Sequence, residues 1–283
     1  MNAHDVQPTA NDIYLTTNGY DYRTGPFKKA CLFAESYVYL RSEYDNWDRN
    51  ATRYDHRFHF NPNYANTPKS SLQNIIGCWW QDEFGTYEEI KKAKNITHTF
   101  GMVLSKKPDR PSVPCEIGFL RSQFVQACRG RSCKYFGSGW DKSDPNYAGE
   151  AYVNGARHSP VKFNDARRLM AGAKFVFCAE NAFDSRYSVN YLTEKIFHAF
   201  LSRSVPIYIG CWNVDEFVPN LFVDFRKFDR DFKRCLDYCE KMSDSDYQGY
   251  LDRIEEFLRG PAQSMTANSR FLELDTKLHA IFH

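Results

Sequence analysis

Two short apolar runs bracket one polar loop and one amphipathic stretch in residues 174–210, KFVFCAENAFDSRYSVNYLTEKIFHAFLSRSVPIYIG. Phe175-Val176-Phe177-Cys178-Ala179 and Val205-Pro206-Ile207-Tyr208-Ile209 are continuous rather than alternating, as parallel strands covered on both faces are. Pro206 sits near the start of its run, where a missing ladder donor does least harm. Between the runs, Leu192, Ile196, Ala199 and Phe200 recur at helical spacing. The segment therefore predicts a βαβ unit with a right-handed crossover and a helix over 191–202. Its polar loop, from Glu180 to Asn190, leaves the carboxyl end of the first strand, where open α/β sheets bind ligands. Glu180, Asn181, Asp184, Arg186 and Tyr187 crowd that loop, and Tyr191, Thr193, Glu194 and Lys195 open the helix.

The rest of the chain extends the pattern. Ile13–Thr17, residues 30–34 and residues 97–105 read as further strands, and residues 116–128 read as a helix with Phe119, Phe124, Val125 and Cys128 on its apolar side. Residues 44–71 are rich in Asn, Asp, Arg and Pro and read as irregular, and the chain after Asp229 reads as mostly helical and charged. At 283 residues the chain accommodates two small domains or one large one. A net charge of +2 argues against dedicated nucleic-acid binding. No run has the length of a transmembrane helix, so no membrane span is expected. Nine scattered cysteines fit neither a zinc site nor a complete disulfide framework; Cys178 and Cys211 read as buried thiols, and a reducing compartment is expected.

The block Ala-Glu-Asn (179–181), then Tyr-Leu-Thr-Glu-Lys (191–195), then Val-Pro-Ile-Tyr-Ile-Gly (205–210) resembles the donor-binding signature of the α-1,3-fucosyltransferases, glycosyltransferase family 10. Two departures are visible: Ala179 stands where the family has Phe, and the loop from Asn181 to Tyr191 is a few residues longer. The similarity continues in residues 100–105 followed by Arg121, in the Gly137-Ser138-Gly139 turn and in residues 214–228, and it thins before Thr97. The resemblance implies an α/β, GT-B-like fold with two Rossmann-like domains. Residues 1–99 would be a shortened acceptor-side domain, 100–240 the nucleotide-sugar domain, and 241–283 a helical segment packing back. It implies an inverting, metal-independent glycosyltransferase moving a sugar, GDP-L-fucose being the expected donor, to a glycan hydroxyl. The same fold and mechanism with UDP-xylose or another UDP-sugar is an alternative, and a non-catalytic glycan-binding protein is another. The chain is expected to be soluble and cytoplasmic, or Golgi-lumenal if it is a trimmed form.

Sugar transfer needs charge stabilisation on the leaving diphosphate, support for an oxocarbenium-like centre and a base for the acceptor hydroxyl. Arg121 offers a fixed fork and Lys195 a mobile point charge for phosphate, beside a helix amino terminus. The resemblance places Arg121 and Lys195 on phosphate, Glu194 on ribose or sugar, and Asn181 and Tyr191 near the diphosphate, with Thr193 in the same donor-binding set. Glu194 and Lys195 as a merely solvated helix face is the plainer alternative. For the base, the resemblance points to Glu35 at a strand end, with Asp82 and Glu83 in reserve. Glu180 either supports the positive charge on the sugar or hydrogen-bonds the loop. His56 and His59 lie at an odd offset and read as surface or structural residues rather than a metal pair. Asp229-Arg-Asp231 and Asp244-Ser-Asp246 match the short DxD pattern, but neither follows an apolar strand, and no catalytic metal or other cofactor is expected.

Overall fold

Strands that are apolar along their whole length need cover on both faces, and the computed structural model shows what supplies it. The structure describes residues 13–17, 28–33, 37–46, 54–61, 64, 84–108, 112–113, 115–151 and 161–282. β1 (Ile13–Thr17), β2 (Lys28–Phe33) and β3 (His56–His59) form a three-stranded sheet in that order. β4 (His98–Val103), β5 (Cys133–Phe136), β6 (Ala173–Ala179), β7 (Val205–Ile209) and β8 (Val223–Asp224) form a second sheet ordered β5-β4-β6-β7-β8. Every ladder between these strands is parallel.

Helices make the crossovers: α1 (Tyr37–Asp45), α2 (Phe84–Ala93), α3 (Leu120–Ala127), α4 (Val161–Met170) and α5 (Glu194–Leu201) each precede the next strand. α6 (Phe232–Lys241), α7 (Asp244–Arg259) and α8 (Ala267–Phe282) follow the last one. Along β6 the side chains alternate between faces. Phe175, Phe177 and Ala179 enter a core with Leu120 and Phe124 of α3 and with Phe232 and Leu236 of α6. Val176 and Cys178 enter the opposite core with Ile196, Phe197 and Phe200 of α5. Each fully buried Phe contributes about 1.5–3 kcal/mol relative to an exposed one, so Phe175 and Phe177 anchor β6 firmly in the sheet. α7 joins the two cores: Tyr247 and Leu251 belong to the first, Ile254, Phe257 and Leu258 to the second. The Tyr247 hydroxyl donates to the Lys174 carbonyl (3.3 Å) at the start of β6, so α7 crosses the amino edge of the sheet.

Strand order locates the crevice. From β4 the chain steps outward to β5, and from β6 it steps the other way through β7 to β8. The carboxyl ends of β4 and β6 therefore flank a topological switch point, where ligands enter such sheets. Pro206 pairs with Val176 of β6, while β8 reaches only Ile207 and Tyr208, so the proline lies beyond the last neighbour on that side.

Several elements differ from the sequence reading. The helix expected over 116–128 begins only at Leu120, because Glu116 bridges to Ala182 and its carboxylate accepts the Gly118 N–H (2.7 Å). The stretch read as irregular holds the end of α1 and all of β3, whose His-Arg-Phe-His sequence hides a buried strand. α2 and α4 carried no sequence expectation. His59 is structural: it is buried, its Nε2 lies 2.8 Å from the Tyr44 hydroxyl, and burial pushes its pKa down to about 3. The eight described cysteines are all buried, and Cys178 and Cys211 are among them as expected. Among the described residues no helix is long and apolar enough to cross a membrane.

Glu255 of α7 ties that helix to α2, accepting from the Tyr87 hydroxyl (2.8 Å) and the Lys91 ammonium (2.8 Å). Burial would push its pKa up, but Lys91, Tyr87 and Arg259 outweigh it and hold the carboxyl down at about 2. The contribution of a carboxylate held low is present above its unfolded pKa, about 4.5, and is lost as pH falls through that value toward 2. Urea titrations between pH 6 and 3 will show this acid-side loss, and Glu255→Gln will flatten it while lowering stability at pH 6.

Candidate active site

A carboxylate with no exposed surface organises the carboxyl end of the large sheet. Glu180 follows β6 directly, is 0% exposed, and continues the ladder by donating its N–H to the Ile209 carbonyl (3.0 Å). Its Oε1 accepts the Thr193 N–H (3.0 Å), the Thr193 hydroxyl lies 2.9 and 2.8 Å from Oε1 and Oε2, and Lys195 Nζ donates to Oε2 (2.9 Å). Thr193 is thereby held extended (φ −115°, ψ −176°), and the helix expected from Tyr191 starts at Glu194 instead. Gly210 completes the arrangement. A Cβ there would lie 2.2 Å from Glu180 Cγ, so only glycine lets this side chain pass.

Lys195 sits between two carboxylates, Glu180 Oε2 at 2.9 Å and Glu194 Oε1 at 3.5 Å, and also donates to the Thr193 hydroxyl (2.8 Å). Burial alone would push its pKa down, but Glu180 and Glu194 outweigh burial and hold the ammonium well above the ordinary lysine range. Burial likewise pushes Glu194 up, and Lys195 and His198 hold it down at about 2. Both groups are therefore charged at neutral pH, while burial pushes His198 down to about 4 and leaves it neutral.

Arg121 projects from the second residue of α3 and is 3% exposed. Its Nη1 donates to the Ser105 carbonyl (2.9 Å) just past β4, and its Nη2 to Asn181 Oδ1 (3.1 Å) just past β6. The guanidinium thus spans the switch point itself. Its Nε has no hydrogen-bond partner, and no carboxylate lies within ion-pairing distance of it among the described residues. Burial pushes its pKa down, and Glu180 and Glu116 favour the charged form only from beyond ion-pairing distance, so the buried guanidinium has no direct counter-ion among the described residues. The end of β4 is fixed around it. Trp140 Nε1 donates to the Leu104 carbonyl (2.8 Å), and a Cβ on Gly137 would lie 2.6 Å from that same oxygen, so the glycine turn closes tightly on the strand.

Tyr191 is buried, with its ring 5.1 Å from that of Phe60. The structure therefore brings together Arg121, Asn181, Glu180, Tyr191, Thr193, Glu194 and Lys195. Glu35, Asp82 and Glu83 lie outside the described residues. The two DxD pairs serve as helix starts: Asp231 accepts the Arg234 N–H (3.2 Å), and Ser243 and Asp246 cap each other across the first turn of α7.

Sequence reasoning passed over three contributors. The Tyr208 hydroxyl lies 3.4 Å from Glu180 Oε1 and accepts the Cys211 N–H (3.0 Å). Ser105 offers a backbone oxygen, which leaves no trace in residue type. Asn190, at φ +60°, exchanges hydrogen bonds with Asn213 (2.8 Å each) and donates to the Phe60 carbonyl (3.0 Å), tying the loop to the three-stranded sheet. Tyr187 of the same loop stacks on Tyr37 of α1 at 4.0 Å. An Asn in a loop is the residue type that accepts positive φ, so Asn190 was open to recognition.

Removing Glu180 strands the buried ammonium of Lys195, so Glu180→Ala will cost about 3–5 kcal/mol by chemical denaturation. Glu180→Ala combined with Lys195→Met will recover part of that loss, because the uncompensated charge leaves too. A double variant no more stable than the single one would show that packing, not charge, sets the cost.

Parts of this chain are similar to known proteins. A sequence model of the glycosyltransferase family 10 (fucosyltransferase) C-terminal domain matches residues 147–271. The α-(1,4)-fucosyltransferase of Arabidopsis thaliana is 48% identical over 61 residues, which is 21% of this chain and 14% of that protein, so the match spans a small part of the relative's length. An α1,3-fucosyltransferase crystallised with GDP is 18% identical with a TM-score of 0.48, over 85% of this chain and 68% of that one. A trehalose-6-phosphate synthase structure is 8% identical with a TM-score of 0.59, over 96% of this chain and 74% of that one. The two parallel, Rossmann-like sheets make the fold GT-B-like. Through residues 147–271, this chain is similar to the carboxyl-terminal domain of glycosyltransferase family 10, the fucosyltransferase family.

Proposed function

We propose that the protein is an inverting, metal-independent glycosyltransferase that moves a sugar, L-fucose from GDP-L-fucose in the first instance, to a hydroxyl of a glycan acceptor. The observation that carries this reading is Arg121: a buried guanidinium at the switch point, with an unpartnered Nε and no carboxylate beside it among the described residues. A diphosphate at the crevice would supply the direct ion pair that Glu180 and Glu116, acting from farther off, do not. Lys195, already balanced by Glu180 and Glu194, stands by as a second cation that can shift toward phosphate oxygens.

In this reading the acceptor hydroxyl oxygen attacks the anomeric carbon, and its proton passes to a carboxylate, Glu35 in our assignment. The bond from the anomeric carbon to the diphosphate oxygen breaks, and charge grows on the leaving diphosphate, where Arg121 and Lys195 stabilise it. Glu180 is too deep to meet the sugar and acts by holding Lys195 and Thr193 in place. Glu194, charged and partly open, is the group assigned to the donor's hydroxyls. Metal independence is supported by two cations at the crevice and by the use of both DxD pairs as helix caps.

A thermal-shift series with GDP, UDP, GDP-fucose and UDP-sugars, with and without chelator, tests the reading. GDP and GDP-fucose will raise the Tm, and chelator will leave the shift unchanged. Arg121→Ala will weaken GDP binding by about 1.5–3 kcal/mol, roughly ten- to a hundredfold. A response to uridine nucleotides alone would keep the fold and change the donor, whereas silence toward every nucleotide would sink the transferase reading in favour of a glycan-binding protein.

A further inference from the structure

Of the two described tryptophans, Trp140 is buried and Trp212 is 44% exposed. A single exposed aromatic is ordinary on a protein surface, and exposure alone decides nothing. What sets Trp212 apart is how firmly its backbone is held while its ring stays in solvent. Its N–H donates to the Ser188 carbonyl (3.0 Å), and its carbonyl accepts from Arg226 Nη1 (2.9 Å). Arg226 is itself clamped by Asp224 (2.7 Å) and Asp215 (2.6 Å). The residue before Trp212 is fixed through the Tyr208 hydroxyl. Beneath the indole lies Phe183, ring centroids 5.2 Å apart and planes 31° apart, whose N–H is bound to the Cys115 carbonyl (2.8 Å).

We propose that the Trp212 indole, backed by Phe183, is a stacking platform for a pyranose ring of the glycan acceptor. The choice of acceptor as ligand rests on the glycosyl-transfer reading above. The apolar C–H face of a sugar packs on an aromatic ring, and a ring already fixed in place gives up little conformational freedom on binding. Asp215 and Glu216, three and four residues on, bring carboxylates that accept from sugar hydroxyls, and the Asp215 side chain is largely exposed. Position links the platform to the crevice: Phe183 stands two residues past Asn181, whose amide holds Arg121. From Trp212 the bonds lead to Ser188 and, through Asn190, to Phe60 of the three-stranded sheet, rather than to Glu194 on the donor side. That is the side from which an acceptor approaches a donor held at the switch point.

The full chain, saturated with GDP, is titrated calorimetrically with N-acetyllactosamine and with N,N′-diacetylchitobiose. The intact chain will bind at least one of them. Trp212→Ala will weaken that binding tenfold or more, about 1.4 kcal/mol, while Trp212→Phe retains most of it. The GDP-induced shift in Tm and the ligand-free Tm will match the parent in both variants, because the ring is exposed and lies off the diphosphate. Unchanged glycan affinity in Trp212→Ala, or no glycan binding by the intact chain, overturns the platform. Loss of the GDP shift in Trp212→Ala also overturns it, because the ring would then serve the nucleotide base. Glycan binding that depends on Trp212 in a chain that ignores every nucleotide would instead keep the platform and sink the proposed transferase activity.

Discussion

A buried carboxylate must be answered by donors, and at Glu180 the answers come from three directions. The strand that ends just before it, the helix that begins at Glu194 and the strand that ends just before Gly210 all meet at one side chain. The Thr193 N–H and hydroxyl fix the entry to α5, Lys195 supplies the counter-charge, and the glycine makes room. Because the helix starts two or three residues later than apolar periodicity indicates, Glu194 and Lys195 fall in its first turn, beside the crevice. The positions of the polar residues therefore depend on a group that itself touches nothing outside the protein.

Arg121 is the complement of that arrangement. Glu180 is ion-paired to Lys195 and hydrogen-bonded on both oxygens; Arg121 has an unpartnered Nε and no ion pair among the described residues, with Glu180 and Glu116 acting on it only from farther off. Both are buried to nearly the same degree, so the difference lies in partners rather than in depth. A site that binds an anion needs a cation kept dry and held in orientation but left electrically unfinished, and the backbone carbonyl of Ser105 and the amide of Asn181 do this without adding charge.

Much of the large sheet was legible in the sequence because its strands are apolar on both faces and short. β6 and β7 were recognisable from five-residue runs, and the polar loop between them marked the crevice without any knowledge of strand order. The amino-terminal sheet was harder. His56-Arg57-Phe58-His59 is a strand by virtue of partners it acquires only on folding, such as Tyr44 for His59, and no periodicity announces them. Helix boundaries failed where tertiary bonds overrode local preference, at Thr193 through Glu180 and at Gly118 through Glu116. The lack of a direct ion pair at Arg121 is likewise a fact about neighbours, invisible in residue type. The caps at Asp231 and Ser243, by contrast, carry a recognisable local pattern that explains both DxD pairs.

Asn190 has a mechanical meaning beyond its local geometry. One side chain bonds the end of β3 through Phe60 and the turn after β7 through Asn213, while Tyr187, three residues earlier, lies flat on Tyr37. The loop that starts at Glu180 is thus a strut clamped at both ends. Any rotation of the small sheet against the large one must either break the Asn190 bond to Phe60 or drag the strut along, and the strut is continuous with the residues that hold Arg121 and Lys195. The small sheet is thus joined, through one continuous stretch of chain, to the residues that surround the charges of the crevice.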